Sequence, residues 1–173
     1  MPILKYIVIY LKYKGQYPIY LQKVTDGRDS MAAALQSQAL LQFFETEVDK
    51  GMQDLAVFRA QVWQELQSGK QVSIMVQGFA SPLAKSDYNV HLTSRRISAI
   101  INYFEEIDGG KFAPYMLSTP LRLQFIEVPM GEYKANKAVS DDFYDQRNSV
   151  YSKDAFLERR IEIIVLRTES LKH

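Results

Sequence analysis

The order of strands and helices along the chain predicts an α/β (α+β) fold, a sheet with helices packed on it. Val72, Ile74 and Val76 alternate with Ser73, Met75 and Gln77, which is the period-two pattern of a strand with one buried face. Val48, Met52, Leu55, Phe58, Val62 and Leu66 instead recur at spacings of three and four, the period of a helix with one apolar stripe. Ile161, Ile163 and Val165 return to the strand period near the C-terminus. Strands separated by helices exclude a pure bundle or a sandwich.

The elements follow in order. Residues 3–13 and 17–24 are rich in Tyr, Ile, Val and Leu on either side of Gly15, and read as two strands, or as one strand and an irregular arm. Thr25-Asp26-Gly27-Arg28-Asp29-Ser30 is a turn. Residues 31–68 are helical, with Gly51 a candidate break into two helices and Gly69 the stop. Residues 71–77 form a strand and 87–106 a helix that Asp108-Gly109-Gly110 ends. Leu121, Leu123 and Phe125 open another strand, which Pro129-Met130-Gly131 is expected to stop. Residues 131–150 are a polar loop, 152–158 a short helix, and 161–165 the final strand. No internal repeat, low-complexity tract or linker divides the chain.

The 173 residues suit one domain. A net charge of +1 gives no reason to expect nucleic acid or an acidic membrane surface as partner. Without cysteine, disulfides, thiolate catalysis and a lipidated cysteine are excluded within this chain. The apolar run at residues 6–11 falls far short of the ~20 residues of a membrane span. It also lacks the cleavage site of a signal peptide. A role outside the cytosol would therefore imply a longer precursor or a misassigned start, and a cytosolic domain that begins with an edge strand stays open beside it.

On a helical wheel for residues 87–106, Ile97, Ile100, Ile101 and Phe104 define the apolar face. Arg96 falls at the edge of that face, in line with Asn89, whereas Arg95 points to solvent. Side chains lean toward the helix N-terminus, so Arg96 is directed at the loop 78–81. A guanidinium beside a helix start suits a carboxylate. The plainer alternative, that Arg96 pairs internally and holds the loop, stays open.

The segment Asn89-x-x-Leu92-Thr93-x-x-Arg96-Ile97-x-x-Ile100-x-x-x-Phe104 resembles the helix motif of the OmpA-like peptidoglycan-associating domain, Asn-x-x-Leu-Ser-x-x-Arg-Ala-x-x-Val-x-x-x-Leu. Gly78-Phe79-Ala80-Ser81 stands where that family has Gly-His-Thr-Asp. Glu158-Arg159-Arg160-Ile161-Glu162-Ile163 is similar to its Asn-Arg-Arg-Val-Glu-Ile. The resemblance spans residues 17–167 and is nearest to a Bacteroidetes-type variant. It implies an OmpA-like domain over 17–173, after an N-terminal arm or extra strand at 1–16. It also implies a mixed four-stranded sheet in β-α-β-α-β-β order with helices on one face.

The function implied by the resemblance is non-catalytic. Such a domain grips the zwitterionic end of diaminopimelate in the peptidoglycan stem peptide, and tethers an outer-membrane or periplasmic assembly to the cell wall. The implied location is the periplasm, in association with the outer membrane. The implied partners are peptidoglycan and other envelope proteins, with no cofactor. By motif position Arg96 takes the carboxylate, Ser81 stands at the position of the acid that takes the ammonium, and Asn89, Leu92 and Ala80 line the ligand. Serine brings no charge. A charged hydrogen bond contributes about 1.5–3 kcal/mol against about 1 for a neutral one, so diaminopimelate affinity is expected to be weaker by roughly ten-fold or more. Asp26, or less favourably Asp87, is the expected replacement. The other reading is an OmpA-like scaffold that has lost wall binding and serves protein–protein assembly.

Other chemistry is poorly supported by the sequence. Ser81, Asp87 and His91 lack a nucleophile elbow. Asp141, Asp142 and Asp145 lack calcium-loop spacing. Trp63 sits on a helix of core residues. Tyr133, Phe143, Tyr144 and Tyr151 flank the polar loop, where they are expected to anchor it or to stack on a partner.

Overall fold

Twelve elements follow one another in the structure, a computed structural model that describes residues 6–10 and 17–170. They are β1 (Tyr6–Ile9), α1 (Tyr17–Thr25), α2 (Ser30–Phe43), a π-helical turn (Phe44–Asp49), α3 (Lys50–Gln67), β2 (Lys70–Phe79), α4 (Ser86–Gly110), α5 (Ala113–Met116), β3 (Leu123–Gly131), α6 (Gln146–Ser149), α7 (Lys153–Glu158) and β4 (Ile161–Ser170). The rest of the strand expected over 3–13, and most of the arm expected at 1–16, lie outside the described residues.

The strands form one mixed four-stranded sheet in the order β1-β4-β2-β3. β4 pairs antiparallel with both β1 and β2, and β2 pairs parallel with β3. The alternation in β2 has the expected sense, since Val72, Ile74 and Val76 are buried and their neighbours half-buried. They meet Ile7, Ile9, Leu123, Ile161 and Ile163 from the other strands. Leu55, Phe58, Val62 and Leu66 of α3 cover them, with Ile97, Ile100 and Phe104 of α4. The Phe58 and Phe104 rings meet edge to face at 6.2 Å. Trp63 is part of this packing, 5.5 Å from Phe112 and 5.8 Å from Tyr115. Ile7 and Ile9 share this core, so β1 is joined to the same sheet and core as the elements beyond residue 17.

Segment 17–24 is a helix, not a strand. Its Tyr and Val content favours a strand, but Tyr17, Tyr20, Leu21 and Val24 repeat at helical spacing. Tyr20 and Val24 are buried while Ile19 is exposed. Pro18 lies in the first turn, where no N–H is needed. Gly27 turns the chain with φ +64°, and Asp29 caps α2 by accepting from Met31 and Ala32 N–H. α1, α2 and the π-helical turn bury Tyr20, Val24, Leu40, Phe43, Phe44 and Val48 against Tyr10 and Phe156 in a second, mainly aromatic core.

Two other expectations change. The helix is not broken at Gly51. The irregularity lies earlier, in the π-helical turn, where consecutive Phe43 and Phe44 are both buried. Gly51 instead lets α3 lie against β1, because a Cβ there would overlap the Val8 carbonyl oxygen. Nor does Pro129 stop β3. That strand continues to Gly131, because it is an edge strand and a missing N–H on the outer side breaks no ladder. The C-terminal stop of α4 is as expected, with positive φ at Asp108, Gly109 and Gly110.

Two outcomes are expected for stability. Gly51→Ala should lower the unfolding free energy by about 1–3 kcal/mol, despite the better helix propensity of alanine, because the contact it strains is with backbone. Denaturant midpoints of the variant and parent measure this. Burial pushes the Tyr10 phenol up to about 12. Below its ordinary value of 10.0 the phenol is protonated in both folded and unfolded chains. Above that value the unfolded chain ionises while the buried phenol keeps its proton. Stability should therefore fall as pH rises through that window, and Tyr10→Phe should flatten the fall in a pH series of unfolding curves.

Candidate functional site

The site gathers at the C-terminal end of β2. Gly78 is essential to its construction, because a Cβ there would lie 2.9 Å from both Thr93 Cβ and Thr93 O. Without one, α4 settles directly on the strand. Thr93 Oγ1 then accepts from Gly131 N–H at 3.3 Å. Phe79 N–H donates to Arg160 O at 2.9 Å on one side of β2, and Ala80 N–H to Gly131 O at 2.7 Å on the other. The pairing with β3 slips by a residue between Gly78 and Phe79, a bulge that turns the chain into the loop before α4.

Arg96 lies one turn beyond Thr93. Its Nη1 donates to Phe79 O at 2.8 Å, so the guanidinium stands at the end of β2 and is half-buried. Arg95 is exposed and lies 5.9 Å from the Tyr88 ring centre. The twin arginines thus part as the helical wheel requires. Burial raises the Tyr20 phenol, and Arg159 and Arg96 pull it the other way. That places the Tyr20 end of α1 in the field of Arg96.

Asn89 lies two turns before Arg96 and is 2% exposed. Its Nδ2 donates to Ala84 O at 3.0 Å, to Ser81 O at 3.3 Å and to a Glu132 carboxylate oxygen. The other Glu132 oxygen accepts from Ser86 Oγ. Asn89 therefore clamps the loop at both ends and ties it to the chain leaving β3. Ala80 and Ser81 are also buried, at 2% and 8% exposure, while Leu92 is half-buried.

Asp26 is placed elsewhere. It follows helix α1 instead of the first core strand, and lies about 9 Å along the helix axis from Tyr20. Its carbonyl accepts from Arg147 Nη2 at 2.5 Å, beside a cleft of about 330 Å³ lined by Val24, Arg28, Gln36, Arg147 and Lys153. Asp87 is exposed in the first turn of α4, where its carboxylate accepts from Tyr88 N–H at 2.8 Å. The N-cap is Lys85, without a side-chain cap.

The C-terminal pair is structural. Arg160 covers the Phe79 ring at 4.2 Å and pairs with Glu162 at 2.7 Å and Glu158 at 3.8 Å. Arg159 donates to Ala155 O and Val150 O. Glu158 in turn accepts from Asn136 N–H at 3.0 Å, which pins the long loop. Of the loop aromatics only Tyr151 acts as an anchor, 5.4 Å from Tyr20. Tyr133, Phe143 and Tyr144 are exposed.

Among the described residues no hydrogen bond joins Ser81, Asp87 and His91, and no group of three or more His, Cys, Asp or Glu side chains is placed to hold a metal ion. Asp142 and Asp145 accept from Tyr144 N–H and the Asn148 amide of their own loop. The residue that sequence reasoning missed is Glu132. Its place directly after the Pro129-Met130-Gly131 punctuation was the available signal, but the pattern read as a strand stop and then a loop.

Asn89→Ala should expose the role of the clamp. It leaves the Ala84 and Ser81 carbonyls and the Glu132 carboxylate without their shared donor. Unfolding free energy should drop by about 2 kcal/mol or more, with faster amide exchange at residues 80–85. An unchanged melting curve would remove Asn89 as the organiser of the loop.

No protein-family model and no curated protein matches the chain.

Proposed function

We propose that this chain is a non-catalytic cell-envelope domain of OmpA-like type. In this reading it holds the diaminopimelate end of a peptidoglycan stem peptide, and so tethers an outer-membrane or periplasmic assembly to the cell wall. The carrying observation is the delivery of the Arg96 guanidinium, by a helix packed on Gly78, to the Phe79 carbonyl at the end of β2. That puts a permanent positive charge at a bulged strand end, a setting that attracts a carboxylate. The mixed four-stranded sheet, with α3 and α4 over one face, supports the same reading. Among the described residues no helix is long and apolar enough to cross a membrane.

A specific observation favours a second reading, a scaffold of the same type that binds proteins and no longer binds wall. Ala80, Ser81 and Asn89 are buried, and the Asn89 amide is engaged with internal acceptors.

Co-sedimentation with purified peptidoglycan sacculi separates the two. The tether reading expects the parent protein in the pellet, and Arg96→Ala to weaken binding about ten-fold or more, with Arg96→Lys between them. Parent protein that stays in the supernatant leaves only the scaffold. Sedimentation indifferent to Arg96 keeps the tether and removes Arg96 from it.

A further inference from the structure

A cleft of about 330 Å³ opens where the turn between α1 and α2 meets α6 and α7, which puts it at the lower end of the roughly 300–1,000 Å³ typical of small-molecule sites. Its wall carries Arg28, Arg147 and Lys153, with Asp154 the one carboxylate, so two positive charges are in excess. Among the described residues no carboxylate forms an ion pair with any of these three cations. Asp29, next to Arg28 in the chain, is used instead to cap α2. Arg28 Nε donates to Val24 O at 2.7 Å, and Arg147 Nη2 to Asp26 O at 2.5 Å. Each guanidinium is thus held to the backbone of one turn through one nitrogen, and keeps N–H groups for a ligand. Val24 is buried and Tyr151, 5.4 Å from the Tyr20 ring, is half-buried, and both line the same cleft.

Like charges gathered around one opening repel each other, and a cleft concentrates their field, so the arrangement favours an anion. The count of charges and oxygens selects which anion. A carboxylate brings one charge and two oxygens. A phosphate monoester brings a charge of about −1.5 to −2 and three acceptor oxygens, which match the excess and the two guanidinium forks. We propose that this cleft binds a small organic phosphate monoester, with the phosphate held by Arg28, Arg147 and Lys153 and the apolar part resting on Val24 and Tyr151. None of Arg96, Asn89 and Ser81 lines the cleft, so this second site is independent of the wall-binding reading.

The experiment is calorimetric titration of the whole chain with phenyl phosphate, and with benzoate, which has the same ring and a single charge. Phenyl phosphate should bind about ten-fold or more tightly than benzoate, and its affinity should fall as salt is added. Lys153→Gln removes a charge, and Arg147→Lys keeps the charge and loses the fork. Each should weaken phenyl phosphate binding about five-fold or more. Asp154→Asn removes the opposing charge and should strengthen it, a gain that partial unfolding cannot imitate. All three side chains are exposed, so the variants should melt with the parent. Unchanged affinity in both Lys153→Gln and Arg147→Lys, or equal affinity for phenyl phosphate and benzoate, overturns the inference. So does a parent protein that does not bind phenyl phosphate, even if it sediments with phosphatidate vesicles, because a lipid surface and not the cleft would then take the phosphate. Failure to sediment with sacculi leaves this inference standing.

Discussion

At Gly78 a helix lies on a strand with no side chain between them, and the rest of the site depends on that approach. A Cβ at this position would meet Thr93 backbone and side chain together at 2.9 Å, so neither could give way alone. Because α4 comes so close, residues one and two helical turns apart along it act on the same strand end. Thr93 supports Gly131, Arg96 reaches Phe79 O, and Asn89 reaches back to the loop that precedes its own helix. A helix held farther from the sheet would leave these groups facing water.

The site is also a solution to the burial of polar groups. The loop 80–85 runs against the core with carbonyls that have no strand partner, and a buried carbonyl without a donor costs about 1–3 kcal/mol. Asn89 answers two of them and a carboxylate with one nitrogen. On the other flank, Arg160 closes over Phe79 and gathers Glu158 and Glu162. The β4 flank of β2 thus holds guanidinium groups together with two carboxylates, and the Glu132 carboxylate follows β3 on the other flank. In the wall-binding proposal, ligand recognition and loop architecture draw on the same atoms, so a substitution here would act on both.

Much of the fold was legible because its signals are periodic. The alternation of β2, the three–four spacing of α3 and the Asp108-Gly109-Gly110 stop depend only on near neighbours. The misreadings occurred where composition and period disagreed. Segment 17–24 has strand-forming residues at helical spacing, and the spacing prevails because Tyr20 and Val24 must reach the same aromatic core. Pro129 looked like a stop because its effect depends on whether the strand is at an edge, and strand order is not written locally.

The sequence by itself determined the α/β class and the separate fates of Arg95 and Arg96. Each is set by residue type and helical or strand period. Only the tertiary structure decided which carboxylate is tied to the Ser81 loop. Asp26 is carried to the far end of α1, while Glu132, 51 positions later in the chain than Ser81, shares the Asn89 amide with it. That pairing arises because parallel β2 and β3 end side by side and α4 crosses both, a contact between residues distant in sequence that no local pattern encodes.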